Sequence, residues 1–177
     1  MYSRRHKRLP PRSPWGKRIG DIWERAVARK LEQLGFKTNY SDIHGADIKA
    51  WRGKYVIYVE CKFRTYPTSF YVTRGNLLRL VKHNGILAFL YMGTPYYVSA
   101  KRLLEYLDKW GKWRIPSFVP DEVIEEAKKA GMDYEDLLNA SVSRGDLELV
   151  ATHDLKEVIE EVLNRKLDWV SESSSKE

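Results

Sequence analysis

The sequence predicts an α/β domain in which helices flank a central mixed β-sheet, with a mainly helical extension after it. Three observations carry this expectation. An amphipathic helical period opens the chain after a short basic arm. Runs rich in β-branched and aromatic residues then alternate with capped helical segments, the order expected of a mixed sheet with helices packed on it. At 177 residues, with no repeat or low-complexity stretch, the chain fits one domain with an appendage.

Ser13-Pro14 starts the first helix, with a capping hydroxyl and a proline whose missing N–H costs nothing in the first turn. Gly35 stops it, and Ile19, Trp23, Ala26, Val27, Leu31 and Leu34 recur on one apolar face. Phe36 to Tyr40 reads as a strand, Ser41 to Gly45 as a loop, Asp47 to Trp51 as a strand and Arg52-Gly53 as a turn. Lys54 to Lys62 has the composition of a buried strand. Thr73 caps a helix to about Lys82, which His83-Asn-Gly85 closes. Gly85 to Met92 and Tyr96 to Val98 are two more strands of the same sheet, and Ser99 caps a helix from Ala100 to Trp110.

After Gly111 the character changes. Lys112 to Pro120 reads as a linker with apolar anchors, and Asp121 caps a helix to Ala130. Tyr134 to Ala140 suggests a short helix, Leu147 to Ala151 a strand, and Asp154 caps a helix to about Lys166. Trp110 and Trp113 read as core anchors, and Trp169 as a candidate interface anchor. The expected division is a disordered basic arm over 1–13, a core over 14–110, an acidic extension over 111–170 and a disordered tail over 171–177.

The chemistry concentrates in Gly45-Ala-Asp47 and Glu60-Cys61-Lys62. Side chains alternate along a strand, so Glu60 and Lys62 share one face and Cys61 takes the other, as a small buried hydrophobe. A hairpin can set Asp47 beside Glu60, and two hard oxygen ligands suit Mg²⁺ or Mn²⁺. Lys62 could then orient or deprotonate a water against a phosphodiester. At about 100° per residue, Glu24 falls at the edge of the first helix's apolar face and can lean toward whatever that face packs on.

Gly20-Asp-Ile-Trp-Glu24 on a helix, Gly45-Ala-Asp47 on a strand and Glu60-Cys-Lys62 on the next resemble the PD-(D/E)xK nuclease superfamily, and most of all the archaeal Holliday junction resolvases. The likeness spans roughly residues 15–110. It implies a restriction-endonuclease-like core, DNA as substrate and a homodimer with two sites. It also implies metal ligation by Asp47, Glu60 and the Cys61 carbonyl, with Lys62 as the catalytic lysine and Glu24 completing the site through a metal or its water. Asn76 stands where those resolvases often carry a glutamine, and Ser41 and His44 are candidate site-edge residues.

Charge agrees with a nucleic-acid partner. Residues 1–100 hold 19 Lys/Arg against 6 Asp/Glu, whereas 101–177 hold 12 against 18, so the phosphate-binding surface belongs to the first part. The arm carries Arg4, Arg5, Lys7, Arg8 and Arg12, and Lys17 and Arg18 follow. Arg25 and Arg29 lie off the apolar face of the first helix, Arg52 and Lys54 flank the hairpin turn, and Arg64 and Arg74 follow the site. Such cations would contact phosphates without reading sequence.

A single cysteine excludes an intramolecular disulfide framework and a cysteine-rich zinc site. No run reaches transmembrane length and no apolar signal core opens the chain, so an intracellular, DNA-associated protein is expected. One glutamine among many Lys, Glu and Arg hints at a thermophilic source. The motif leaves open a branched-DNA endonuclease, another nuclease of the superfamily (exonuclease, flap, single-strand or restriction-like) and a non-catalytic DNA-binding or assembly module. The extension could be a packing layer, a dimerisation surface or a module for a protein partner.

Overall fold

A computed structural model describes residues 14–131 and 137–169. The basic arm, the Ser13 cap, Tyr134 and the polar tail lie outside the described residues. Helix α1 (Pro14–Gln33) leads to β1 (Lys37–Tyr40), β2 (Ile48–Arg52) and β3 (Tyr55–Arg64). Then come β4 (Phe70–Thr73), α2 (Arg74–Val81), β5 (Gly85–Tyr91), β6 (Thr94–Ser99) and α3 (Ala100–Lys109). Helix α4 (Asp121–Lys129), β7 (Asn139–Val142), α5 (Arg144–Val150) and α6 (Leu155–Leu163) complete the order.

Five strands form the central sheet in the order β1-β2-β3-β5-β6. β3 and β5 run parallel, as a crossover through α2 requires, and the other neighbours are antiparallel, so the sheet is mixed as expected. One face buries Trp23, Val27 and Leu31 of α1 with Leu155, Val158 and Ile159 of α6. The other buries Leu77 and Leu80 of α2 with Leu103 and Leu107 of α3. Trp23 also donates its indole N–H to the Ala88 carbonyl at 3.0 Å, which fixes the rotation of α1 on the sheet. Ala28, not Ala26, takes the remaining core position on α1.

Several expectations need correction. Residues 147–151 are not a strand: Ser143 and Asp146 form a reciprocal capping box, and α5 follows. Asn139 and Ala140 do not end a helix as expected: they open β7, which pairs with β4 from Phe70↔Val142 to Thr73↔Asn139 in a separate two-stranded sheet. Pro120 rather than Asp121 is the N-cap of α4, while Ser99 and Asp154 cap their helices through their side chains. α6 ends at Leu163, before Lys166, because Asn164 adopts a left-handed conformation with φ of 51°. Trp110 is no core anchor, being 62% exposed. Trp169 packs against the α1–α6 cluster and donates to Glu160 at 3.2 Å.

Candidate active site

The site lies where β3 outruns β2. Their ladder ends at Ile48↔Val59, whereas β3 continues to Arg64 against β5 on its other side. Residues 60–64 therefore extend past the end of β2, where the two strands part. Asp47 sits just before β2, donates its N–H to the Val59 carbonyl at 2.9 Å, and accepts from the Cys61 N–H at 2.7 Å through Oδ2. A strand residue turns its N–H and C=O to the same edge, so the Cys61 carbonyl faces the same opening.

Glu60 and Lys62 share a face, with Lys62 Nζ 3.5 Å from Glu60 Oε1. The second Glu60 oxygen accepts from Asn76 Nδ2 at 2.8 Å, and the same amide reaches the Gly45 carbonyl at 3.3 Å. Asn76, on the first turn of α2, thus joins the loop before Asp47 to the end of β3. Gly45 makes this possible. It has φ of 73°, and a Cβ there would lie 1.7 Å from Asn76 Oδ1.

A cleft of about 590 Å³ brings Asp47, Glu60, Cys61 and Lys62 together with Glu24 of α1. Arg64, Thr65 and Tyr66 extend its lining. Burial raises the Glu60 pKa above the ordinary value; neighbouring Lys62 opposes this, the Asp47 charge adds to it, and the Asn76 bond opposes it. Cys61, half-buried against the α1 cluster, has its thiol pushed well up by burial and by the Asp47, Glu24 and Glu60 charges. The carboxylates thus surround β3's end from both faces, with one lysine among them.

Two carboxylates and a main-chain carbonyl make an all-oxygen donor set that fits a hard divalent cation. Among the described residues, no three His, Cys, Asp or Glu side chains gather into a metal-holding group. The fit is therefore to a site completed by water rather than to an all-protein cage, as Mg²⁺ prefers.

The other sequence candidates are spread more widely. Lys17 and Arg18 are exposed on the first turns of α1. Arg25 and Arg29 line a separate depression beside Thr38 and Tyr40. Arg52 donates to the Asp168 carbonyl at 2.6 Å and lies over Trp169, while Lys54 lies over Tyr55. Arg74 pairs with Asp108 and covers Trp113. Among the described residues of this group, Arg64 lines the cleft and the others do not.

Ser41 accepts from the Ile43 N–H at 3.2 Å and so shapes the loop. His44, at φ of 56°, stacks on His83 with ring centroids 3.5 Å apart; desolvation and the neighbouring His83 and Lys49 charges lower its pKa. The sequence does not single out Tyr66 or His83 as site residues, and it offers His83 only as part of a helix stop. Tyr66 lay in an unassigned stretch, and His83 meets His44 only through the tertiary fold.

No known family profile matches the chain, and no curated protein matches it. Among solved structures it is similar to Hjc, a Holliday junction resolvase from the archaeal hyperthermophile Archaeoglobus fulgidus, at 13% sequence identity and a TM-score of 0.51. The match covers 85% of this chain and 99% of that one. The likeness is one of fold: a mixed sheet between helices, of the restriction-endonuclease-like kind.

Proposed function

We propose that the chain is a metal-dependent DNA endonuclease of the PD-(D/E)xK kind that hydrolyses phosphodiester bonds in branched or structured DNA, as a Holliday junction resolvase does. The observation that carries this is the meeting of Asp47, Glu60 and Lys62 where β3 runs past β2, in a cleft that Glu24 also lines. The resolvase-like fold supports the same reading.

In this reading Asp47, Glu60 and the Cys61 carbonyl hold Mg²⁺ or Mn²⁺, and Glu24 acts through water. When bound, the cation supplies Lewis acidity at the phosphate and stabilises the leaving oxygen. Lys62 positions the attacking water and offers positive charge to the developing transition state. Asn76 keeps Glu60 oriented. A homodimer would supply two such sites for paired incisions, and DNA repair or recombination in an archaeal, thermophilic cell is the setting this reading favours. Residues 14–110 would form the nuclease core, and 111–170 would shape what reaches it or meet a protein partner. Among the described residues, no helix is long and apolar enough to cross a membrane.

The test uses a labelled four-way junction, flap, single strand and linear duplex in Mg²⁺ or Mn²⁺. Wild type should nick the junction in symmetric pairs, and Asp47→Ala and Glu60→Ala should each lower the rate by about a hundredfold or more. Calorimetric Mn²⁺ binding should vanish in the same variants. Mutant-sensitive cutting only of ends, flaps or single strands would discard the resolvase reading and keep the nuclease. DNA binding with no cleavage in any metal would leave a binding module.

A further inference from the structure

The β4–β7 ribbon has two unlike faces. Phe70, Val72, Ala140 and Val142 are buried, at 4% exposure or less. The alternate positions Tyr71, Thr73 and Ser141 are exposed, and Tyr71 stands opposite Ser141 in the ladder. Arg114 continues this surface as a third edge. Its N–H donates to the Asn139 carbonyl at 2.8 Å, and the Asn139 N–H returns a bond at 2.9 Å. Tyr71, Lys112, Arg114, Asn139 and Ser141 together line a shallow open depression of about 360 Å³.

The chemistry of this face is specific. The Tyr71 side chain is 60% exposed, although its neighbours along the strand are core residues. Lys112 pairs with Asp146 at 3.2 Å, so Arg114 is the more exposed cation, with its guanidinium steered by the Gly111 and Trp113 carbonyls at 2.7 and 2.8 Å. Among the described residues lining the depression none is acidic, although residues 101–177 carry 18 Asp/Glu against 12 Lys/Arg. An exposed ring, neutral hydrogen-bonding side chains and a guanidinium are what a sheet offers to unpaired nucleotides. The bases of a closed duplex are already stacked on one another and have no free face for the ring.

The ribbon also adjoins the cleft. Arg64, which lines the cleft, donates to the Ser69 carbonyl at 3.1 Å, one residue before β4, and lies over the Phe70 ring at 5.2 Å. Tyr66, also in the cleft lining, is 61% exposed. The start of β4 is therefore tied directly to a residue of the cleft lining.

We propose that the outward face of the β4–β7 ribbon docks single-stranded DNA, with a base stacked on Tyr71 and a phosphate on Arg114, and so presents an unpaired strand to the cleft. The inference rests on reading that cleft as a DNA-hydrolysing site, and it adds branched substrates with an unpaired arm to those the enzyme would take.

The test is fluorescence anisotropy of labelled oligothymidylate on the full chain without divalent metal, so that binding is read apart from cleavage. Tyr71→Ala should weaken binding about tenfold and Tyr71→Phe by no more than about twofold, since the ring rather than the hydroxyl carries the stack. Arg114→Ala should lower the salt slope by about 0.7. Blunt-duplex affinity should be unchanged in Tyr71→Ala. Wild-type affinity for oligothymidylate in both alanine variants overturns the proposal, as does an equal loss for single strand and duplex. Dissociation of a dimer by Tyr71→Ala with oligonucleotide binding intact also overturns it, because the face is then occupied by a second copy. A wild type that binds through Tyr71 yet cuts nothing in Mg²⁺ or Mn²⁺ supports the ribbon and overturns only the hydrolase reading.

Discussion

The β2–β3 hairpin and the β4–β7 ribbon are both antiparallel pairs, but they join residues of very different separation. In the hairpin Arg52 faces Tyr55 across the Gly53 turn; in the ribbon Phe70 faces Val142. The first closes on neighbours in the chain, so its carboxylates and lysine stand within a short span of sequence. The second joins strands separated in the chain by α2, β5, β6, α3 and α4, and its outward face belongs to no single stretch. Local pairing concentrates chemistry into a motif, whereas distant pairing builds a surface that no motif announces.

The comparison can be broken most severely at Gly45. Gly45→Ala places a methyl group in a left-handed conformation and against Asn76, and should destabilise the protein by about 2 kcal/mol. It should also abolish cleavage while leaving oligothymidylate binding on the ribbon near wild type. Thermal melts and the anisotropy assay check the two halves separately, and equal loss of both functions would show that hairpin and ribbon are not independent.

A smaller effect is expected from Asn76→Ala, which removes one amide donor from a half-buried carboxylate, worth about 2 kcal/mol. Glu60 already has its pKa raised, chiefly by burial, and the Asn76 bond opposes that rise. Its loss raises the pKa further, so the acid limb of Mn²⁺ binding should move to higher pH. An unchanged limb, measured by calorimetry across pH, would place the control of Glu60 elsewhere.

The smallest effect concerns the ribbon's own anchor. Asp146 follows β7, accepts from Ser143 and Tyr106, and pairs with Lys112. Burial works to raise its pKa, but the hydrogen bonds from Tyr106 and Ser143 prevail and hold it below the ordinary value. A carboxyl with a lowered folded pKa stabilises fully above its unfolded pKa of about 4 and loses that contribution as pH falls through the folded value. Wild type should therefore be more stable than Asp146→Asn at neutral pH, by about 1–2 kcal/mol, with the gap closing below about pH 4, as thermal melts across pH would show. A gap that persists in acid would mean that Asp146 acts through packing rather than charge.

What the sequence made legible follows the same division. The strands around Asp47 and Glu60 were readable because turn residues and β-branched runs act over a few positions. The crossover to β5 was readable from the Thr73 and Gly85 boundaries. Taken alone, the apolar run from Leu147 to Ala151 reads as a strand, whereas the Ser143–Asp146 box, also present in the sequence, starts a helix there. β7 left no comparable signal, since Asn139 to Val142 becomes a strand only by pairing with β4. The basic residues were the least readable, because charge says nothing of what a cation touches: Arg52 and Arg74 spend theirs within the protein. Glu24 reached the cleft as its place on the helix implied, since the Trp23 bond to Ala88 sets the rotation of α1.

The Asn76 bridge carries a consequence for the order of events during synthesis. The hairpin can close as soon as β3 has been made, but Glu60 receives its amide from a residue 16 positions later, and only once α2 has docked on the sheet. A nascent chain therefore displays its acidic residues before it orients them. A chain that stops short of α2 holds the acidic residues without the amide that completes the site.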